Sequence, residues 1–511
     1  MTGSVSGDSG PRTPRLNFRF VHLHDRLQHL PMVRAVVPFA AGIAAAVRWN
    51  VPLAAALGGM ALCGVLALRL RSQLYTALSL FLFGFAIALL HAPAHTVPCG
   101  VRTDFELVLN TASAARGGYH ACEAQIRAWR DPESGGWHAA SELVVVWADS
   151  GLRLRAGDRI VCSGSVRPFA DRYPDYRRRM IRRGFAGTFR LTRERVFSVR
   201  QAPSRTLHAR AVGRLCRLPL SAEARALCRA MAAGDRSELS PAVRTAYSRS
   251  GLAHLLAVSG LHVGIVFALV NALLRVVPVL WPRRGHLVRN GLAVALIWLY
   301  AAVADFSPSV VRAAVMFSML QLALAAASVY AGLNALAAAA FLMLLFRPSW
   351  LGDLGFELSF LAVAAILAWG VPICRRLRTH RWWIDFPVAT AVVSAVAAVA
   401  TAPLVSHAFG TVSLCGLVFN PAAIVLAYVV VFAGVLWMAM PVGWLAPLFA
   451  AVLETAARWL DGLAVWASSL PWAAAEWRLT AAGAVGCYLF FLFATLVAAC
   501  RSPKKSVSLP R

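Results

Sequence analysis

Long apolar runs broken by short basic or turn-rich segments recur along most of the chain. The first three, at about 33–48, 51–68 and 74–91, are divided by Arg48-Trp49-Asn50 and Arg69-Leu70-Arg71. Each comes close to the ~20 apolar residues that a helix needs to cross a ~30 Å hydrocarbon core. Between 92 and 217 the period shortens to alternation, in FELVLN (105–110), ELVVVWA (142–148) and RAGDRIVCSGSVRPF (155–169), with glycine-rich turns between. Alternation of that kind predicts half-buried strands, hence a water-exposed β region set between membrane helices. After an amphipathic stretch from 218, apolar runs resume at about 252–280, 289–304, 309–329, 331–346, 354–373, 386–405, 411–440, 443–459 and 479–500, about twelve spans in all. The segment 461–476, with Trp466, Trp472 and nearby Trp477, then has to lie in the membrane interface.

Composition sharpens this picture. Of 511 residues, 59% are hydrophobic and 14% charged, against roughly 45–50% and 25% in soluble domains, which argues against a water-soluble enzyme. A formal charge of +28 points to anionic partners: nucleic acid, acidic lipid or phosphorylated substrates. The only lysines are Lys504 and Lys505, so no GxxxxGK[ST] phosphate loop exists upstream of them. The arginine excess itself fits either a GC-rich genome or phosphate contacts. Residues 92–217 carry 22 arginines and 11 acids, with a cluster at Arg177, Arg178, Arg179, Arg182 and Arg183. Residues 1–30 read as a disordered basic cytoplasmic tail, in which His22, His24 and Asp25 have the wrong spacing for a zinc signature. With that tail inside, the basic connectors Arg283, Arg284 and Arg289, Arg375 to Arg381, and Arg501 with Lys504 and Lys505 all fall on the cytoplasmic side. The ten cysteines show no CxxC, so a metal site is not expected. Cys122 and Cys162 both fall in the β region, where an oxidising compartment would let them pair, with Cys99 the competing partner.

Polar residues inside the apolar runs supply the candidate chemistry. GLAHLLAVSGLHVGIV (251–266) places His254, Ser259 and His262 in an otherwise apolar helix, where unsatisfied polar groups are costly. Ser259 and His262 share a face, while Gly260 and Gly264 form a GxxxG pair suited to close helix packing. The polar trio reads either as the lining or gate of a path or as mutually bonded structure. AVSG (257–260) also resembles, superficially, the GxSG of rhomboid intramembrane proteases, with Ser259 as nucleophile. Ala257 replaces the first glycine, however, and a base three residues along the same helix is not that family's arrangement. ADFSPSVVRAAVM (304–316) sets Pro308 between Asp305 and Arg312, the pattern of a broken membrane helix. RPSWLGDLGFELSFLAV (347–363) carries Asp353 and Glu357 on one face. A helix-pinning ion pair with Arg312 and a polar translocation path are both open readings. Asn420 with Pro421, and His407 nearby, form a third polar break.

AAGDRSELS (232–240), GLAHLLAVSGLHVG (251–264), SPSVVRAAVM (307–316), LGDLGFELSFLAV (351–363) and FGTVSLCGLVFNP (409–421), in that order, resemble the ComEC family of competence DNA-internalisation channels. Upstream, GDRIVCSGSV and YPDYRRRMIRRGFAG resemble that family's outside domain, taken to be an OB-fold. The resemblance implies a mostly α polytopic membrane protein of about 12 transmembrane helices with an inserted periplasmic all-β OB-like domain. Its expected organisation is a tail at 1–30, three helices at 31–91, the β domain at 92–217, the channel domain at 218–500 and a basic cytoplasmic tail at 501–511. It implies passage of single-stranded DNA across the bacterial inner membrane during natural transformation, without a cofactor.

The motif residues carried over are Gly234, Asp235, His254, Ser259, His262, Arg312, Asp353 and Asn420. To the path we add Asp305 and Glu357, the latter standing where glutamine is common. For DNA binding the expected residues are Arg172, Tyr173, Tyr176, Arg177, Arg178, Arg179, Arg182 and Arg183, with Phe169 and Phe185 also stacking bases. Many members continue into a metallo-β-lactamase-like domain that this sequence lacks, so strand degradation has no residues here. A polyanion moving against an inside-negative potential climbs ~2.3 kcal/mol per charge per 100 mV. An ATP-driven cytoplasmic helicase and a periplasmic DNA-delivery protein are therefore expected partners, beside membrane lipids; a separate nuclease and a homo-oligomer stay open. The competing classes are an intramembrane serine hydrolase using Ser259 and a solute or lipid exporter with a basic outside domain.

Overall fold

The computed structural model describes residues 30–46, 48–49, 51–91, 97–110, 114–116, 119–149, 152, 154, 157–172, 176–177, 180–181, 183–201, 206–276, 285–325 and 331–501. His22, His24, Asp25, Tyr173, Arg178, Arg179, Arg182, Arg283, Arg284, Lys504 and Lys505 lie outside the described residues. Of the described residues 67% are helical, and a separate region forms a β-sheet.

Three apolar helices come first: α1 (Pro31–Ala46), α2 (Leu53–Leu70) and α3 (Gln73–Leu90). Small residues let α1 and α3 touch backbone to backbone, since a Cβ on Gly42 would strike the Phe81 carbonyl and one on Gly84 the Phe39 carbonyl. The Met32 amide donates to Asn334 Oδ1 at 2.9 Å, tying these helices to the later bundle.

The β region holds β1 (Thr103–Leu109), β2 (Ala114–Arg116), β3 (Tyr119–Arg130), β4 (Trp137–Ala139), β5 (Leu143–Asp149), β6 (Arg159–Gly164), β7 (Val166–Arg167), β8 (Phe185–Leu191) and β9 (Val196–Arg200). Their order is β7-β8-β5-β3-β1-β6-β9, with β2 and β4 paired to β3. β5 and β8 run parallel, while β1–β3, β3–β5, β1–β6 and β7–β8 are antiparallel. Because β7 continues β6 after one residue, the path from β1 through β3, β5 and β8 returns to β1. Alternation places Phe105, Leu107, Leu109, Ile126, Ile160, Phe189 and Leu191 inside, all fully buried. Cys122 on β3 and Cys162 on β6 are free thiols buried in this core, which corrects the expected disulfide. β1 runs between their strands, and two interstrand spacings of ~4.8 Å exceed the ~7 Å Cα separation a disulfide tolerates. Cys99, the alternative partner, is free and exposed.

Three short helices follow: α4 (Leu207–Leu215), α5 (Ala222–Ala233) and α6 (Pro241–Arg249). Thr206, Ser221 and Ser240 cap them, each accepting a backbone N–H from the first turn. The bundle continues with α7 (Gly260–Val276), α8 (Gly285–Val303), α9 (Pro308–Ala325), α10 (Gly332–Phe346), α11 (Leu354–Leu377, with a π turn at Ile366–Gly370), α12 (Trp382–Phe409), α13 (Gly416–Ala439), α14 (Ala446–Ser469) and α15 (Ala481–Arg501). Among the described residues, α2, α3, α11, α12 and α13 are long and apolar enough to cross a membrane, and α1, α7, α8, α9, α10 and α15 contain shorter apolar helical stretches. Two boundaries differ from expectation. The run at 252–280 becomes helical only at Gly260, with a 3-10 turn at Ala253–Leu255 before it. The expected span at 443–459 and interfacial segment from 461 are one helix, α14, because the buried period of Leu453, Ala457, Leu460, Ala464 and Ala467 passes unbroken across Asp461. Beyond it, β11 (Ala474–Glu476) pairs with β10 (Thr411–Ser413).

Candidate functional site: the polar end of the helix bundle

The AAGDRSELS segment ends α5. Gly234 takes the left-handed conformation (φ 84°) that stops the helix. Beyond it Asp235 Oδ1 accepts the Ser237 amide at 3.0 Å, and Oδ2 lies 2.5 Å from Arg229 Nη2. Arg229, a charge within the apolar period of α5, also pairs with Glu238. A Cβ on Gly234 would stand 3.3 Å from Val258 and 3.8 Å from the Ala304 carbonyl. Ser309 Oγ, in turn, donates to the Val258 carbonyl at 2.7 Å. Three motifs distant in sequence therefore meet around one turn.

Ser259 and His262 come together as expected, though through the helix start and not across a continuous helix face. The Ser259 amide donates to His262 Nδ1 at 2.8 Å, and Ser259 Oγ lies 3.0 Å from the same nitrogen. The imidazole thus takes the place of the glutamate in a capping box, reaching back to the residue before the first helical turn. Since Nδ1 accepts a backbone N–H, the ring proton resides on Nε2, which is buried and has no partner among the described residues. His254 lies in the preceding 3-10 turn, exposed, with Nδ1 3.1 Å from the Gly251 carbonyl.

Arg312 is 4% exposed on the second turn of α9, and its Nη1 has no hydrogen-bond partner among the described residues. Its guanidinium lies over Phe360 of α11, 5.6 Å from the ring centroid. A Cβ on Gly260 would come within 3.1 Å of Nη2, so the glycine pair serves the approach of α9. Asp353 is not the counter-charge of Arg312, which corrects the expected pair. Asp353 caps α11 by accepting the Phe356 amide at 3.1 Å and faces Arg183 Nε of the β region at 3.4 Å. Glu357 follows in the first turn of α11, and Asp305 is exposed with φ 53° in the turn between α8 and α9. Asn420 on α13 is 9% exposed, with Oδ1 unpartnered among the described residues. It lies beside Gly416, against which Gly251 packs. Ser413 Oγ bridges the group, reaching the carbonyls of Arg249 at 2.8 Å and Ala473 at 3.1 Å.

The residues expected to bind DNA divide. Phe169 and Phe185 are 5% and 3% exposed and pack with Val145, Tyr176 and Met180, so they are core residues and not base-stacking platforms. Arg172 is exposed, and Arg177 pairs with Asp171. Arg183 joins Glu123 of β3 at 3.0 Å as well as Asp353. Sequence reading missed Arg229, although a lone arginine in ALCRAMAA marks it. It also missed Phe360, which nothing distinguishes from its apolar neighbours.

A mostly helical membrane protein, with a buried cation and unpartnered polar atoms gathered near the starts of its helices, is the class these features define. A sequence model described as "Competence protein" matches residues 231–502, more than half of the chain, which belongs to that family. The chain is 29% identical over 198 residues to "ComE operon protein 3" of Bacillus subtilis (strain 168), covering 38% of this chain and 24% of the relative. It is 35% identical over 145 residues to an uncharacterized protein of Aquifex aeolicus (strain VF5), covering 28% and 33%. The chain thus matches about a quarter to a third of the length of these relatives. No solved structure matches it.

Proposed function

We propose that the chain is an inner-membrane conduit that passes single-stranded DNA from periplasm to cytoplasm, with Arg312 as a phosphate contact. The observation that carries this reading is Arg312 itself: a cation at 4% exposure, without a salt bridge among the described residues and with one nitrogen unpartnered. A charge kept in that condition inside an apolar bundle is costly unless an anion joins it. The twelve apolar and amphipathic helices α1–α3 and α7–α15 serve as twelve spans, with both termini cytoplasmic. The β region between α3 and α4 is an OB-like periplasmic domain, a reading supported by its closed strand path and the parallel β5–β8 pair. A delivery protein outside and an ATP-driven helicase inside complete the route, and the chain itself acts without catalysis. The test is cytoplasmic uptake of labelled DNA in a deletion strain carrying wild type or Arg312→Ala. At equal membrane levels the variant loses at least tenfold in internalised DNA; wild-type uptake would remove Arg312 from the mechanism.

The Ser259–His262 contact favours a second reading, an intramembrane hydrolase. In the conduit reading that contact starts α7, so Ser259→Ala retains uptake at a small stability cost. A nucleophile would instead give complete loss in Ser259→Ala and partial rescue in Ser259→Cys.

A further inference from the structure

We propose that Arg183 and Asp353 form an anion-exchangeable latch between the β region and the helix bundle, at which an incoming phosphodiester displaces the Asp353 carboxylate from Arg183. The inference rests on the DNA-conduit reading and adds a site to it. Arg183 stands between two carboxylates from different parts of the molecule: Nη2 is 3.0 Å from Glu123 Oε1 on β3, and Nε is 3.4 Å from Asp353 Oδ2 at the start of α11. Its guanidinium also lies over Phe185, 5.2 Å from the centroid, which fixes the plane of the fork. Asp353 divides its own carboxylate, since Oδ1 accepts the Phe356 amide while Oδ2 faces Arg183. One acidic side chain therefore starts α11 and ties that helix to the β region. Farther along α11, Phe360 meets Arg312, so the first turns of this helix connect the latch to the buried cation.

Exchange follows from exposure and geometry. The two side chains are 32% and 21% exposed, so dissolved anions reach them. Ion pairs exposed to that degree contribute little, whereas an arginine fork on a phosphate makes two parallel charge-assisted bonds. Losing Arg183 does not strand Asp353, because its cap bond remains. Asp353 is a positioning residue in this scheme, and its carboxylate competes with the ligand.

Poly-dT binding to the full chain in lipid nanodiscs, read by fluorescence anisotropy, tests the exchange. Asp353→Asn keeps a good helix cap but removes the competing charge, so it binds up to about fivefold tighter than wild type. Glu123→Gln, which removes the other competitor, shifts affinity the same way. Arg183→Gln binds more weakly and lowers the salt slope by about 1. Equal or weaker binding by both carboxylate variants overturns the exchange, because a carboxylate that competes with phosphate for Arg183 must raise affinity when its charge is removed. Wild type that binds no poly-dT would defeat the conduit reading instead. Hydrogen exchange without DNA then decides the latch alone: Asp353→Asn raises exchange at Gly184–Phe185 several-fold if the pair docks the β region, and unchanged exchange overturns it.

Discussion

Ser259 shows how neighbours decide one residue's chemistry. Its hydroxyl and a histidine nitrogen stand at hydrogen-bond distance, as in a nucleophile–base pair, yet the same nitrogen already accepts the Ser259 amide and completes a helix cap. Burial decides the cysteines in the same way. Cys122 and Cys162 are each pushed up to about 12, first by desolvation and then by the nearby carboxylates of Glu123 and Asp104 respectively. At pH 8 the thiolate fraction of such a group is about 10⁻⁴, and the thiolate is the reacting form. A maleimide added at that pH should therefore modify the exposed Cys99 and Cys216 and spare Cys122 and Cys162, as peptide mass mapping would reveal. Labelling of all four at similar rates would mean that the β core opens readily.

At the level of elements, the turn between α5 and α6 depends on a charge that acid removes. Burial alone would raise the Asp235 carboxyl, but hydrogen bonds from Ser237 and Arg229, together with the Arg229 charge, hold it below its ordinary value. A depressed carboxyl contributes stability that is present above its unfolded value and lost as pH falls through its folded value. Asp235→Asn should lower stability at pH 7 by about 1.5–3 kcal/mol, the range for a charged hydrogen bond. The difference from wild type should shrink as pH falls below 3.8, the ordinary value of this carboxyl. A deficit unchanged at pH 3 would assign the effect to packing. Apolar period made most helices legible in the sequence, because burial against lipid or neighbours needs only composition. The start of α7 was not legible: the residues before Gly260 are as apolar as those after, and the reach of His262 back to Ser259 carries no compositional sign. Nor was the partner of Asp353, since Arg312 and Arg183 offer the same charge and only the fold selects between them. Aromatics among arginines were misread for a related reason: Phe169 and Phe185 have the pattern of base-stacking residues, and the β region uses them as core.

Across the whole molecule, contacts collect the motif loops at one end of the bundle. Gly234 meets Val258 and Ala304, Gly251 meets Ser413 and Gly416, the Trp477 amide donates to the Gly410 carbonyl, and Arg183 reaches Asp353. The helix starts at Gly260, Pro308, Leu354, Gly416 and Ala481 belong to these loops or directly follow them, so their positive dipole ends face the side where the β region docks. Arg375 and Arg376 in the last turn of α11, with Arg378 and Arg381 in the connector that follows, gather basic charge at the other end of α11 and α12, which suits a cytoplasmic face. On the proposed conduit reading, such an arrangement would attract a polyanion to this end but supply no energy for moving it across, where each phosphate would climb ~2.3 kcal/mol per 100 mV against an inside-negative potential. The chain alone, reconstituted into vesicles with the β region outward, should therefore accumulate no protected poly-dT when a potassium gradient holds the lumen negative. Reversing the gradient should drive protected oligonucleotide into the lumen, and Arg312→Ala should reduce that signal at least tenfold. Equal accumulation at both polarities would show that the strand does not cross as a bare charged chain, and the conduit reading would fail at its physical premise.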